Sequence, residues 1–346
     1  MGKLLTVILG AGASYDLVPP GMASVKKDYR PPLTKDLFAG DNDRFEDILT
    51  KYPDALNLAA TIRVRMGRKE QEPLEAVLRS LTDDRNENIA RQVRQIPLYL
   101  QELFGTVSEL YTPLPVNYSY LVTKVLTSHF ERVAFVTLNY DLLIEKAIEA
   151  FVGAPIRDLK SYVGTSEKWL LVKLHGSVNW VTSVRDGIGG HAKSHEGVLA
   201  AIRELPAIEG PLQFIHHHSQ RRGGPNSKDI LYPAIAVPVE GKYEFVCPDE
   251  HIVELQRFLA SCEDFLVIGT SAKDRDLLEL LRDGVKRGSN LAIVAGNLTD
   301  AQDTYRQIRN TVSQIGAAGA TYGVDGFTGF VESGEIDKFI SSLAPI

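Results

Sequence analysis

Five short segments hold residues able to do chemistry, and each stands where an apolar run stops. The first is Gly10-Ala11-Gly12-Ala13-Ser14. Glycines there permit a sharp turn and let a pyrophosphate approach backbone N–H groups. Tyr15 occupies the place of the third glycine of a G-x-G-x-x-G, so the motif alone also reads as a turn closing a strand. The second is Thr137-Leu138-Asn139-Tyr140-Asp141. Polar residues at such a strand end face the crevice in which α/β proteins bind ligands. Asn139 or Asp141 capping the next helix is the plainer alternative.

The third segment runs from Lys173-Leu174-His175-Gly176 to Trp180. A histidine closing an apolar run is placed to act as a general base near neutral pH, although a lone histidine is commonly structural. Gly269-Thr270-Ser271 and Gly296-Asn297 complete the set. Their small and hydroxyl-bearing residues can line a nucleotide without crowding it.

The elements that must position these residues are legible from periodicity. Leu4–Leu9, Val133–Leu138, Trp169–Leu174, Asp264–Ile268 and Leu291–Ala295 are apolar runs with little alternation. That pattern predicts parallel strands buried on both faces. Helical spacing follows or precedes them at Asn117–Phe130, Leu142–Phe151, Asp249–Cys262, Asp274–Arg287 and Thr299–Val312, with Asp249, Asp274 and Thr299 as expected N-caps. Strand and helix in alternation predict a doubly wound parallel α/β sheet of Rossmann-like type. Two stretches break the rhythm. A helical insertion is expected within residues 45–130, with no convincing strand from about Phe45 to Tyr111, and a long irregular insertion over residues 182–246.

Composition narrows the function classes. The chain has 346 residues, 44% hydrophobic, which is ample for a buried core. Its net charge of −6 argues against nucleic-acid binding through a bulk positive field. Two local basic patches, Lys26-Lys27 with Arg30 and Arg221-Arg222, read first as solvated loop. No apolar run approaches the roughly 18 to 20 residues needed to cross a bilayer. No secretory signal is visible at the N-terminus, so a cytoplasmic location is expected. Cys247 and Cys262 are the only cysteines, too few for a four-cysteine zinc module or a disulfide framework. His216-His217-His218 could bind a metal, but with no readable acidic partner nearby they read as a polar loop, and no metal is expected.

Taken in order, the five motifs resemble those of the sirtuin superfamily: a Gly-Ala-Gly-x-Ser loop, a Thr-x-Asn-x-Asp segment, a His-Gly, a Gly-Thr-Ser and a late Asn. The resemblance runs from Gly10 to Asn297 and implies one sirtuin-like catalytic domain over residues 1–346 that contacts NAD. The four-cysteine module of protein-deacetylating sirtuins is absent, as is their Gly-Ile-Pro-Asp-Phe-Arg stretch, for which Asp28-Tyr29-Arg30 is only a distant remnant. What is left resembles the sirtuin-like NADases of bacterial antiphage defence, which share the Thr-x-Asn-Tyr-Asp form.

The resemblance implies hydrolysis of NAD, as substrate, to nicotinamide and ADP-ribose. Asn139 would position water or the nicotinamide ribose, His175 would be the general base, and Asp141 would orient Asn139. Gly10, Ala11, Gly12 and Ser14 would hold the pyrophosphate, with Thr137 also in the nucleotide site. Gly269, Thr270, Ser271 and Asn297 would lie along the adenosine half. A homo-oligomer gated by a separately encoded sensor or a HerA-type ATPase is implied as well, with the helical insertion and the His216–Arg222 loop as candidate contact surfaces. Two alternatives stand beside this reading: an NAD or ADP-ribose sensor without turnover, and an NAD-dependent deacylase or ADP-ribosyltransferase.

Overall fold

The structure is a computed structural model that describes residues 2–17, 30–40, 43–67, 74–82, 87–110, 116–164, 168–185, 194–205, 208–222, 229–237 and 246–343. Lys26-Lys27 and Asp28-Tyr29 lie outside the described residues. The chain divides into two compact units. One comprises Met1–Pro31, Tyr111–His175 and Cys247–Ile346, and the other comprises Pro32–Leu110 and Gly176–Val246.

The first unit is built on a six-stranded sheet. Its strands are β1 (Leu4–Leu9), β2 (Arg132–Thr137), β3 (Trp169–Lys173), β7 (Asp264–Ile268), β8 (Asn290–Val294) and β9 (Thr321–Gly323). Every pairing is parallel and the spatial order is β3-β2-β1-β7-β8-β9. Taken in chain order the six strands therefore stand 3-2-1-4-5-6, the dinucleotide-binding arrangement, whose order reverses between β1 and β7. β1, β2, β3 and β7 are buried almost end to end, which is why their sequences carry no polar alternation. The sequence reading omits β9. Its three residues, Thr-Tyr-Gly, are too few to show a period, and only the neighbouring β8 makes them a strand.

Helices flank this sheet: α1 (Ala11–Tyr15), α7 (Val116–Thr127), α8 (Leu143–Val152), α10 (Asp249–Leu259), α11 (Arg275–Gly284), α12 (Leu298–Thr311), α13 (Gly326–Glu332) and α14 (Glu335–Ser342). α7 packs with α8, α13 and α14, while α10 packs with α11 and α11 with α12. Asp274 caps α11 as expected, its Oδ1 accepting from Leu277 N at 2.7 Å. The cap of α12 is Asn297 rather than Thr299, and that of α10 is Pro248 rather than Asp249. Cys262 and Cys247 are both buried and unbridged, and burial pushes their thiols up to about 11 and about 12.

The second unit contains both segments that break the sequence rhythm. Its helices α2 (Asp43–Leu49), α3 (Pro53–Met66), α4 (Leu74–Thr82), α5 (Glu87–Val93) and α6 (Ile96–Leu110) supply the expected helical insertion. That insertion stops at Leu110, short of the expected 130, because α7 belongs to the sheet unit. Where the sequence reads as irregular, there is a three-stranded antiparallel sheet ordered β5-β4-β6, of β4 (Gly176–Arg185), β5 (Leu212–Phe214) and β6 (Asp229–Ile235), with α9 (His195–Glu204) between β4 and β5 in sequence. Its pairings join residues about fifty apart through a bulge between Gly176 and Val181, so no local pattern announces them. α6 packs on β4 and β6, and Gln101 Nε2 on α6 donates to Val178 O at 2.9 Å. No helix among the described residues is long and apolar enough to cross a membrane.

Leu266, fully buried in β7 beside the reversal point, gives a direct measure of this packing. Leu266→Ala is expected to lower the stability of the sheet unit by about 2–5 kcal/mol in urea unfolding. A loss under 1 kcal/mol would mean that the sheet is not the core described.

Candidate active site at the carboxyl edge of the sheet

β1 and β7 are neighbours at the reversal, so the loops that follow them meet. Gly10 N donates to Ile268 O at 3.0 Å and Gly12 N to Gly269 O at 2.8 Å. A Cβ on Gly12 would stand 2.8 Å from Gly269 O, and one on Gly269, whose φ is +65°, would stand 2.1 Å from Ala13 N. The loops can touch only because neither residue has a side chain. The N–H of Gly12 is therefore committed to the neighbouring loop, a role that the motif did not disclose. Ala272 closes the second loop at φ +49°, a left-handed conformation rare outside glycine.

Beneath these loops lies a buried polar cluster. Ser14 Oγ donates to Asp141 Oδ2 at 2.8 Å and accepts from Asn139 Nδ2 at 3.0 Å. Because its hydrogen goes to Asp141, the 3.0 Å contact with Tyr118 Oη has the phenol as donor. Asn139 Nδ2 also donates to Gly10 O at 2.9 Å. Thr137 Oγ1 donates to Leu9 O at 3.1 Å and accepts from Asn139 N at 3.0 Å. Ser14 and Thr137 are almost wholly buried. Their hydroxyls fasten the end of β2 to β1 and to the start of α1. Asp141 is not the cap of α8, which is Leu142, but its Oδ1 accepts at 3.1 Å from the N–H of Leu143, the first residue of that helix.

A buried ion pair lies next to this cluster. Lys173, at the end of β3, has no exposed surface and reaches Glu145 Oε1 at 2.7 Å, while also donating to Asp141 O. Tyr162 Oη donates to the same Glu145 oxygen at 3.3 Å. Burial raises the carboxyls of both Asp141 and Glu145, and Lys173 opposes that shift in each. Burial likewise holds the Tyr118 phenol well above its ordinary value. Sequence reading singled out neither Tyr118 nor Glu145. Their signal is helical spacing on α7 and α8, which any core residue shares.

His175 stands two residues beyond Lys173, as Asn139 stands two beyond Thr137, and Thr137 pairs with Lys173 in the β2–β3 register. The two side chains thus leave equivalent places on adjacent strands, both mostly buried. His175 Nε2 lies 3.0 Å from Oδ2 of Asp274, whose other oxygen caps α11. Sequence reading gave Asp274 only the capping role; its second role depends on the folding of the loop after β7. Thr270 is half-buried, its carbonyl accepting from Thr304 Oγ1 at 3.0 Å and its hydroxyl from Ala272 N at 3.1 Å. Ser271 is exposed. Asn297 is exposed too, and both ends of its amide are engaged with Asp300, at 2.9 and 2.8 Å. Ala11 is half-buried at the start of α1.

Three substitutions test these forces. Gly269→Ala should destabilise the protein by well over about 1 kcal/mol, whereas Ala272→Gly should be neutral or stabilising, because the left-handed cost of about 1–2 kcal/mol is removed there. Opposite signs in thermal unfolding are the expected result. Lys173→Met leaves two buried carboxyls unpaired and should cost about 3–5 kcal/mol at neutral pH. Carboxyls whose folded-state values are raised favour the folded state at low pH, and lose that contribution as pH rises through those values. The deficit of the variant should therefore shrink as pH falls toward the ordinary carboxylate range, and an equal deficit at pH 5 and pH 8 would contradict the cluster described.

No protein-family model matches the chain, and no curated protein matches it. Among solved structures it is similar to a mutant of Sir2 homologues in complex with 2'-O-acetyl ADP-ribose, with 14% identity and a TM-score of 0.48 over 99% of this chain and 94% of that one. A Sir2 homologue mutant–ADP-ribose complex gives 13% and 0.47 over 100% and 96%. A Sir2 homologue–NAD complex gives 14% and 0.43 over 99% and 91%. Likeness of this degree bears no argument of its own; the strand order and the residues at the carboxyl edge carry the functional reading.

Proposed function

We propose that this chain hydrolyses NAD to nicotinamide and ADP-ribose. The observation that carries the reading is the placement of Asn139 and His175 each two residues past the paired ends of β2 and β3, at the carboxyl edge of a sheet whose topology binds dinucleotides. The complexes of Sir2 homologues with NAD and ADP-ribose concern those proteins. The motifs from Gly10 to Asn297 bring the same ligand to mind for this one.

Hydrolysis breaks the bond between C1′ of the nicotinamide ribose and the ring nitrogen. The electron pair goes to that nitrogen, so the cationic ring departs neutral and needs no acid. The transition state is oxocarbenium-like, and the work of the protein is to hold the ribose, stabilise developing positive charge and deliver water. Asn139 has both amide hydrogens engaged with Gly10 O and Ser14 Oγ, which turns Oδ1 into the atom that meets a ribose hydroxyl or the attacking water. His175 takes the proton of that water as its oxygen bonds to C1′, and passes it to solvent. Asp274 Oδ2, 3.0 Å from His175 Nε2, offers the imidazole a charge partner as it takes that proton. Asp141 acts through Ser14 and Asn139. The half-buried loop from Ala11, with Gly10 and Gly12 giving it its course, accommodates the pyrophosphate. Thr270, Ser271 and Asn297 lie toward the adenosine half.

Two buried, unbridged cysteines cannot supply a four-cysteine zinc module, which favours hydrolysis over deacylation. The Thr-x-Asn-Tyr-Asp form supports placing the chain among antiphage effectors. In that setting it acts in the cytoplasm as a homo-oligomer, held inactive until a sensor or a HerA-type ATPase gates it.

Nicotinamide release from NAD is the test. Asn139→Ala and His175→Ala should each lower turnover about a hundredfold or more, and near-wild-type turnover in both would remove the mechanism. Asp274→Asn preserves an N-cap residue and so should fold normally. It should nevertheless lower kcat by about tenfold or more with KM little changed. Tight NAD binding without nicotinamide release, also in the presence of the partner, would make the chain a sensor instead.

A further inference from the structure

The loop between β5 and β6 carries His216, His217 and His218, which in sequence have no acidic neighbour. Folding of the second unit supplies one. Glu109, in the last turn of α6, places Oε1 3.5 Å from His217 Nε2 and 3.2 Å from His218 Nδ1. One ligand atom from each of the three residues falls within 4.8 Å of the other two. Nitrogen and oxygen ligands bound at about 2.1 Å in a tetrahedral shell stand about 3.4 Å apart. The two carboxylate–imidazole edges have that length already.

Three independent features prepare these groups. His217 Nδ1 accepts from Ser219 N at 3.2 Å and lies 2.7 Å from Ser219 Oγ, contacts that hold the ring with Nε2 toward Glu109. His218 lies against α6 over Gly105, where a Cβ would come within 2.3 Å of the imidazole Cγ. Glycine inside a helix is disfavoured relative to alanine, and here it opens the space that seats His218 four residues before Glu109, on the same helix face. The end of α6 also adds the negative pole of a fifteen-residue helix.

We infer that Glu109, His217 and His218 form a three-ligand site for a borderline divalent transition cation, zinc above all, with water in the fourth position. Bound metal clips the β5–β6 loop to the end of α6 within the second unit. The site shares no residue with the proposed NAD chemistry, so either can fail without the other.

The test uses the untagged full chain, stripped with chelator and titrated with Zn²⁺ by calorimetry and with Co²⁺ by visible absorption. The wild type should bind a single tight equivalent of zinc, give the strong ligand-field bands of tetrahedral cobalt and melt at higher temperature when loaded. His217→Ala and Glu109→Gln alter exposed side chains and should leave the fold intact while weakening zinc about a hundredfold. Gly105→Ala removes no ligand but displaces His218, so it should weaken zinc as well. No tight binding by the wild type, or equal affinity in His217→Ala and Glu109→Gln, would overturn the site. Affinity unmoved by Gly105→Ala in a folded protein would do the same, because it would show loose capture by surface histidines.

Discussion

The hydroxyl of Ser14 joins what the sequence keeps far apart. It donates to Asp141 and receives Asn139 and Tyr118, so a single buried oxygen ties the loop after β1 to the end of β2 and to α7. A buried polar group is stable only when all its partners are present. Loss of any member would leave the others unsatisfied in a region closed to water. The constraint holds the Asn139 amide in one orientation, with Nδ2 toward Gly10 O and Ser14 Oγ.

The sheet supplies the second half of that constraint. Parallel register sets the ends of β2 and β3 level, two residues before Asn139 and His175, and the order reversal sets the β1 and β7 loops side by side. Glycines at 12 and 269 then allow a contact that any side chain would forbid. Asp274 works in both directions: one oxygen starts α11, the other faces His175. The start of α11 and the carboxylate nearest His175 thus depend on one residue.

The second unit is organised by different means. Its antiparallel sheet rests on α6, and Arg221 illustrates how a residue read as solvated loop becomes structural: its guanidinium donates to Gln101 Oε1 at 2.6 Å and to Tyr52 Oη at 3.0 Å. Tyr52 donates in turn to Glu102, which also pairs with Lys51 at 2.6 Å. These contacts gather the helical insertion and the β5–β6 loop into one body, although more than a hundred residues separate them in sequence.

The sequence by itself determined the parallel strands. A strand buried on both faces must be a nearly continuous apolar run, and the five runs read as strands match five of the six parallel strands to within one residue at each end. It also determined which polar residues stand at the carboxyl edge, since a run that stops abruptly shows where its strand leaves the core. It could not show what those residues face. That Thr137 and Ser14 turn inward as fasteners, that Asn297 caps its own helix, that Lys173 pairs with Glu145, and that Glu109 meets two histidines are all matters of through-space pairing. The same holds for the antiparallel sheet of the second unit and for the short β9. In each case the stabilising partner lies on another element, and local periodicity carries no information about a neighbour that only the tertiary fold brings within a few ångströms.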